Sequence, residues 1–275
     1  MIAFAANSVL CRMSLGNELI DAASFTTIRL ISGSLCLLLI MFSRNICWRP
    51  SQPQWTPVLS LLTYMVCFSF AYQSLSAGTG ALLLFGCVQL TMIGTAIFKG
   101  EQLSLRGWLG LTLALCGLIY LLFPGIEAPD PLYSLLMATA GLAWGIYSLW
   151  GSQGGDPTES TTKNFLYATP MGLLVSLASF SELSISWQGA LLAIASGAIA
   201  SGIGYAIWYT VLKDIQSATA AIVQLSVPAL ATLGGAVLLA EPISIRIVLA
   251  TTLTIGGIAL FLTRKVNGLQ AARKY

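Results

Sequence analysis

The sequence contains no histidine and very few charged residues. Of its 275 residues, 56% are hydrophobic and only 8% are Asp, Glu, Lys or Arg, whereas about a quarter of a typical soluble protein is charged. A chain of this composition cannot cover its surface with polar side chains, so lipid must be the solvent for most of it. The composition therefore predicts an integral membrane protein and excludes a soluble globular domain.

The scarcity of metal-binding residues argues against cofactor chemistry. All six cysteines lie in the first half of the chain, most of them within apolar runs, and no two form a CxxC pair. We therefore expect no metal and no cofactor, and we interpret the cysteines as small buried apolar residues. No nucleophile–base pair is evident in the apolar runs, so an enzyme is not expected either. The net charge of +3 is small and requires no nucleic-acid partner.

Ten apolar runs approach the length of about 20 residues that a helix needs to cross a bilayer. The first is short, because its fourteen residues rise only about 21 Å. That length predicts either a shortened first helix or a native start upstream of Met1. The predicted helices cover residues 2–15, 23–42, 56–75, 79–98, 104–123, 131–150, 163–181, 188–210, 217–239 and 243–263.

A short motif occurs twice, 140 residues apart. Glu101-Gln-Leu-Ser-Leu-Arg106 returns as Glu241-Pro-Ile-Ser-Ile-Arg246, and each copy lies between two apolar runs. The chain is therefore predicted to contain two copies of one membrane unit.

The two copies are predicted to occupy residues 1–124 and 131–263, followed by a basic cytoplasmic tail at 264–275. Each copy holds five helices, and because five is odd, the second copy enters the membrane upside down relative to the first. Inverted repeats place a substrate site near the midplane, where the copies meet, and expose it to each side in turn. The predicted fold is an all-α integral membrane protein with ten transmembrane helices in two inverted five-helix repeats.

Aromatic and amide side chains inside the predicted helices are the candidates for a binding site. One interpretation is an aromatic-walled cavity with hydroxyl, indole and amide groups directed inward; the alternatives are interfacial aromatic belts and hydrogen bonds that join helices. An amide offers two donors and an acceptor, which suits the two ends of a zwitterion. The predicted substrate-binding residues are Asn7, Tyr64, Tyr72, Gln89, Trp144, Tyr147, Tyr205, Trp208 and Gln224.

Charged residues near the helix ends are predicted to have mainly structural roles. Arg29 is expected to reach the outer surface or to pair with Asp21, and attraction of an anion is the alternative. Glu101 and Glu241 are expected to accept hydrogen bonds from N–H groups at the start of the helix that follows each of them.

Three motifs resemble one transporter family. They are the repeated Glu-x-Leu/Ile-Ser at Glu101 and Glu241, the arginine of Thr27-Ile-Arg29-Leu, and the repeat openings Phe4-Ala-Ala-Asn7 and Trp144-Gly-Ile-Tyr147. In this order the chain resembles the EamA-type permeases of the drug/metabolite transporter superfamily. The resemblance implies a ten-helix exporter or exchanger of small metabolites, often amino acids. Ala5 departs from that pattern, where the family usually has glycine.

These observations favour a secondary transporter of small neutral or zwitterionic metabolites such as amino acids, working by alternating access. A non-transporting membrane scaffold or receptor is the alternative. No Asp, Glu or His lies in the middle of a predicted span, which favours uniport or exchange over proton coupling. The expected partners are the lipid bilayer and a small-molecule substrate, and the expected assembly is a monomer or weak homodimer.

The distribution of Lys and Arg predicts the orientation in the cell (inner) membrane. With a cytoplasmic N-terminus, ten Lys and Arg residues fall on the cytoplasmic side and three on the other, as the positive-inside rule requires. A reporter fused after Tyr275 is therefore expected to lie in the cytoplasm, and one inserted near Glu127 outside. Reporter activities that place both on the same side would contradict the odd-numbered repeat.

Overall fold

The computed structural model describes residues 1–46, 52–98, 100, 104–125, 128–151, 156–212 and 223–272. Helices make up most of these residues. An α-helical start (Trp187–Ile194), a π-helical segment (Ala195–Ile203) and an α-helical end (Gly204–Leu212) together form α8. The other helices are α1 (Ile2–Leu15), α2 (Ala22–Ser43), α3 (Trp55–Ala71), α4 (Ala77–Phe98), α5 (Leu105–Leu122), α6 (Pro131–Gly151), α7 (Pro157–Ala178), α9 (Ser226–Leu239) and α10 (Ile245–Ala272).

The protein is an all-helical membrane protein. Within the described ranges, six helices are long and apolar enough to cross a bilayer, namely α2, α4, α5, α6, α8 and α10. Large apolar side chains such as Leu39, Phe42 and Val237 are mostly exposed on the outside of the bundle, where lipid can cover them. The full count of ten spans stays a prediction, because α1, α3 and α9 are shorter and α7 is more polar.

Helix ends agree with the predicted spans at most positions, although α10 continues to Ala272, nine residues beyond its predicted end at 263. Ser104 and Ser244 accept hydrogen bonds from the N–H groups of Gly107 and Ile247, each at 3.3 Å, so each caps the helix that follows. The α7 helix begins at Pro157, six residues before the predicted start, because the Asp156 carboxylate caps its polar first turn. The first part of predicted helix nine lies outside the described residues.

The π-helical segment of α8 directs polar groups into the bundle. A π-helix contains one extra residue per turn, which changes the face that the following side chains present. Within this segment Ser196 and Ser201 are fully buried. Gly197 lies against the backbone of Arg29, so a larger residue there would prevent α2 and α8 from approaching closely.

The α5 and α10 helices pack through their backbones. A Cβ atom added at Gly257 would lie 2.6 Å from the carbonyl oxygen of Gly110, and one at Gly117 would lie 2.9 Å from that of Ala250. The sequence numbers run in opposite directions along the two helices, so the helices are antiparallel. The two contacts are also related by the 140-residue offset of the repeated motif.

Other helices at equivalent positions in the two predicted repeats also pack against each other. Between α2 and α7, the Thr27 hydroxyl donates to the Gly172 carbonyl oxygen at 2.8 Å, and the Ser34 and Thr169 hydroxyls lie 3.1 Å apart. This pair is also antiparallel, and α4 contacts α9. The α3–α6 and α4–α6 contacts have counterparts in α8–α1 and α9–α1. The helices of the first predicted repeat therefore make the same pairings as the helices five places later in the second repeat.

Two adjacent glycines test the α5–α10 contact. Gly257→Ala is expected to lower the free energy of unfolding by about 1–3 kcal/mol, because the new methyl group would meet the backbone of Gly110 and Ala114. Gly256→Ala is the matched control, since no heavy atom lies within 4 Å of a Cβ atom added there. Thermal unfolding of both purified variants in one detergent measures the difference. Equal melting temperatures would show that the two helices do not depend on this close approach.

Candidate substrate site

A cluster of aromatic rings occupies the place where α1, α3, α6 and α8 meet. The ring of Trp144 lies at its centre, with centroids 4.9 Å from Tyr64, 5.0 Å from Tyr205 and 5.3 Å from Tyr147. Phe4 joins from α1, with its ring edge-on to Trp144 at 6.2 Å. The rings thus come from both predicted repeats and are buried away from lipid.

A small cavity lies inside this cluster. Its volume is about 10 Å³, close to the smallest space that holds one water molecule. No metabolite fits into this space, so the cavity is closed to a substrate in this structure. Its walls are formed by Phe4, Asn7, Ser8, Tyr64, Phe68, Leu84, Phe85, Trp144 and Tyr205.

A network of hydrogen bonds joins the cavity wall to the surrounding helices. The Tyr64 hydroxyl accepts from Arg29 Nη2 at 2.9 Å and from Asn7 Nδ2 at 3.4 Å. The Ser196 hydroxyl donates to Asn7 Oδ1 at 2.6 Å, and Arg29 Nε donates to the Ser201 hydroxyl at 3.1 Å. The network therefore ties α1, α2 and α3 to α8, and it holds Asn7 in one orientation.

Several buried polar atoms near the cavity are left without a partner. Within the described residues, no hydrogen bond of acceptable geometry is made by the cavity-lining hydroxyls of Ser8 and Tyr205 or by Arg29 Nη1 behind the wall. The same holds for the Tyr209 hydroxyl and Gln224 Oε1, which lie outside the wall. An unsatisfied buried polar group costs about 1–3 kcal/mol. Such groups near one cavity are what a site for a polar ligand requires.

Four of the nine predicted site residues line the cavity: Asn7, Tyr64, Trp144 and Tyr205. Two more support its wall. Tyr147 lies against Trp144, with its hydroxyl accepting from Asn164 Nδ2 at 3.5 Å, and Trp208 lies edge-on to Phe4 at 6.0 Å.

The other three predicted residues lie elsewhere. Tyr72 lies beyond Phe68 and donates to the carbonyl oxygen of Ala77 at 3.3 Å. Gln89 is buried in α4, and Gln224 is buried just before α9. None of the three lines the closed cavity, so their contact with a ligand stays a prediction.

The expected contacts of Arg29, with the membrane surface or with Asp21, are wrong. Its side chain is 0% exposed, so it does not reach the membrane surface. Asp21 accepts instead from the backbone N–H groups of Ser24 at 2.8 Å and Ser184 at 3.2 Å. Arg29 lies behind the cavity wall, with its guanidinium carbon 5.0 Å from the ring centroid of Phe68.

The sequence offered clues to some of the wall residues that were not predicted. Phe4 belongs to the opening motif of the first repeat, and Phe68 lies between two predicted tyrosines on α3. Nothing in the sequence indicated that Ser196 lies beside Asn7, because that contact depends on the π-helical segment of α8.

Glu241 connects the two predicted repeats at the end of the bundle that should face outward. Its Oε1 accepts from Arg12 Nε at 3.1 Å, and its Oε2 accepts from the N–H of Ala77 at 2.9 Å. Arg12 Nη1 also donates to the carbonyl oxygens of Gln73 and Tyr72 at 2.9 and 3.2 Å. The expected role is therefore corrected, since Glu241 caps α4 and Ser244 caps the following helix. Glu101 lies outside the described residues.

Removal of the Glu241 carboxylate is expected to destabilise the closed state. Glu241→Ala leaves Arg12 Nε and the Ala77 N–H without their acceptor, at a cost of about 1–3 kcal/mol, and should lower the melting temperature of the purified protein. Glu182→Ala is the control, because Glu182 is exposed and its side chain makes no hydrogen bond or ion pair within the described residues. Equal melting temperatures for the two variants would contradict this role.

Comparisons with known proteins agree with this architecture. The chain is 46% identical over 274 residues to the uncharacterized protein PA1977 of Pseudomonas aeruginosa, covering 100% of this chain and 95% of the relative. It is 24% identical over 271 residues to the uncharacterized transporter YoaV of Bacillus subtilis, covering 92% of this chain and 93% of that protein. A crystal structure with 19% identity matches with a TM-score of 0.68, covering 94% of this chain and 95% of the other. That structural likeness concerns the fold alone.

The sequence also matches the EamA-like transporter family over residues 1–123 and 131–263. These segments cover nearly all of the chain and meet at the connection between α5 and α6. The chain therefore belongs to the EamA-like transporter family.

Proposed function

We propose that this protein is a secondary transporter, an exporter or exchanger, of small neutral or zwitterionic metabolites such as amino acids. It would lie in the inner membrane with both termini in the cytoplasm. The observation that carries the proposal is a cavity whose walls come from both predicted repeats, beside buried polar atoms that lack a partner. A membrane protein that only held other proteins together would have no need of such groups.

The helix pairing supports alternating access as the mechanism. Two copies related by inversion place equivalent helices antiparallel to each other, as α5 and α10 are, and as α2 and α7 are. Rocking one copy against the other would open the central cavity to each side in turn. The closed cavity of about 10 Å³ and the Arg12–Glu241 ion pair fit a state in which the outer side is shut.

The composition of the cavity wall supports a substrate without strong net charge. The wall contains aromatic, amide and hydroxyl side chains and no carboxylate or histidine. Hydroxyl and amide groups can bind the polar ends of a zwitterion, and aromatic faces can attract its ammonium group. The absence of a titratable carboxylate in this wall favours uniport or exchange over proton coupling.

Transport into proteoliposomes tests the proposal. Purified protein would be reconstituted and screened for saturable uptake of radiolabelled amino acids and other small zwitterions, with empty liposomes as the reference. Saturable uptake supports a transporter. Lack of saturable movement for every compound, by protein whose fold is verified in the same liposomes, would favour the scaffold or receptor alternative.

Tyr205→Phe separates a role in binding from a role in folding. The Tyr205 hydroxyl makes no hydrogen bond of acceptable geometry within the described residues, so its removal should leave the melting temperature nearly unchanged. Transport should nevertheless fall severalfold, because one hydrogen bond to a substrate contributes about 0.5–1.5 kcal/mol. Tyr133→Phe is the control, since Tyr133 lies away from the cavity wall. Unchanged uptake by the Tyr205 variant would remove this hydroxyl from the site.

Gln224→Leu likewise separates a role in binding from a role in folding, for a residue outside the closed cavity. If Gln224 contacts the substrate in another state, the change should lower transport severalfold with little loss of stability, because its Oε1 atom makes no hydrogen bond to any residue that the structure describes. If Gln224 instead joins helices, the melting temperature should fall while substrate affinity stays unchanged. Both quantities would be measured on one preparation.

A further inference from the structure

Arg29 is a buried cation without a counter-charge. It is the eighth residue of α2, roughly 10 Å along the helix from its first residue, and it is 0% exposed. No carboxylate of the described residues forms an ion pair with it. The ion pairs found in that part of the chain are Arg12–Glu241 and Glu159–Lys163.

The groups around Arg29 compensate its charge only in part. Its Nε and Nη2 atoms donate to the neutral hydroxyls of Ser201 and Tyr64, and its guanidinium lies over the rings of Tyr64 and Phe68 at 5.3 and 5.0 Å. Its Nη1 atom has no hydrogen-bond partner within the described residues. A desolvated cation that keeps a free donor attracts an anion strongly.

The uncompensated charge lies directly behind the cavity wall. Tyr64 and Phe68, the two rings under the guanidinium, both line the cavity. The Tyr64 oxygen already accepts two hydrogen bonds, which leaves its O–H group as a donor. The Tyr205 hydroxyl, also in the wall, lies beside that of Tyr64 and makes no hydrogen bond of acceptable geometry within the described residues.

The amide oxygen in this wall already receives one hydrogen bond. Asn7 Oδ1 receives the hydroxyl of Ser196 at 2.6 Å. This side of the cavity therefore offers donors and positive potential, which suit a ligand group with a negative charge and several lone pairs. A carboxylate has both properties, and it can accept several hydrogen bonds at once.

We propose that Arg29, with the hydroxyls of Tyr64 and Tyr205, forms a subsite for a carboxylate group on the transported solute. The inference rests on the proposed transport function. Arg29 supplies the positive charge from behind the wall, while the two hydroxyls contact the carboxylate oxygens. The rings of Trp144 and Phe4 complete the cavity and offer π-faces to an ammonium group at the other end of a zwitterion.

Matched pairs of acids and amides test the subsite in the unmodified protein. The probes are the L-amino acids that the proteoliposome screen finds to be transported, each compared with its carboxamide, which keeps the ammonium group and side chain but loses the negative charge. Competition against uptake of the radiolabelled amino acid gives both affinities. We expect the carboxamide to compete at least about tenfold more weakly, since hydrogen bonds to a charged group are among the strongest.

Variants assign the selectivity to Arg29. Arg29→Gln is expected to weaken competition by the acid at least about tenfold and to leave competition by the amide nearly unchanged, which removes the difference between them. Arg29→Lys should restore part of the preference for the acid, because lysine carries the positive charge but lacks the planar guanidinium with its several N–H donors. Arg246→Gln is the matched control, since Arg246 donates to the Phe123 carbonyl oxygen and lies outside the cavity wall. It should keep the full preference.

The outcomes separate this inference from the proposed function. Saturable uptake with equal competition by acid and amide would overturn the carboxylate subsite and leave the transporter standing. That comparison uses the wild-type protein and so does not depend on whether Arg29→Gln folds. A folded Arg29→Gln variant that keeps the preference for the acid would also overturn it. Absence of saturable uptake of any amino acid would instead count against the proposed function itself.

Discussion

The buried guanidinium of Arg29 is the interaction around which the rest of the bundle is arranged. A charge inside a membrane domain is tolerated only where protein groups replace its hydration. Here those groups come from two other helices, with Tyr64 on α3 and Ser201 on α8. Because Tyr64 also receives a hydrogen bond from Asn7 on α1, one cation fixes the relative positions of four helices. The aromatic cavity is lined by residues of three of these helices, α1, α3 and α8, together with α4 and α6.

The structure combines contacts that resist separation with contacts that can open. The α5 and α10 helices meet backbone to backbone at Gly110 and Gly257, which leaves no flexible side chain to adjust between them. The end of the bundle that is predicted to face outward is held differently, by the half-buried ion pair of Arg12 with Glu241. An ion pair near the surface can exchange its partners for water at little cost. Such a difference suits a bundle in which two halves stay joined at one place and part at another.

Two expectations from the sequence were wrong for the same physical reason. Arg29 was expected to reach the surface, and Glu241 was expected to cap the next helix, because a sequence shows only neighbours along the chain. The partners in the structure are distant: Tyr64 is 35 residues from Arg29, and Ala77 is 164 residues from Glu241. Asn7 and Ser196 are brought together across 189 residues. Their alignment depends on a π-helical segment that no local pattern announced.

The sequence by itself determined the features that depend on composition and short-range order. Few charges and long apolar runs specified a helical membrane protein, serines at 104 and 244 specified two helix starts, and the repeated motif indicated which helices correspond. Only the tertiary structure decided which of the buried polar residues share one cavity, because helices with apolar surfaces on all sides can rotate or shift without exposing anything unfavourable to lipid. Close packing and the pairing of buried polar groups select one arrangement, and both depend on residues far apart in the chain.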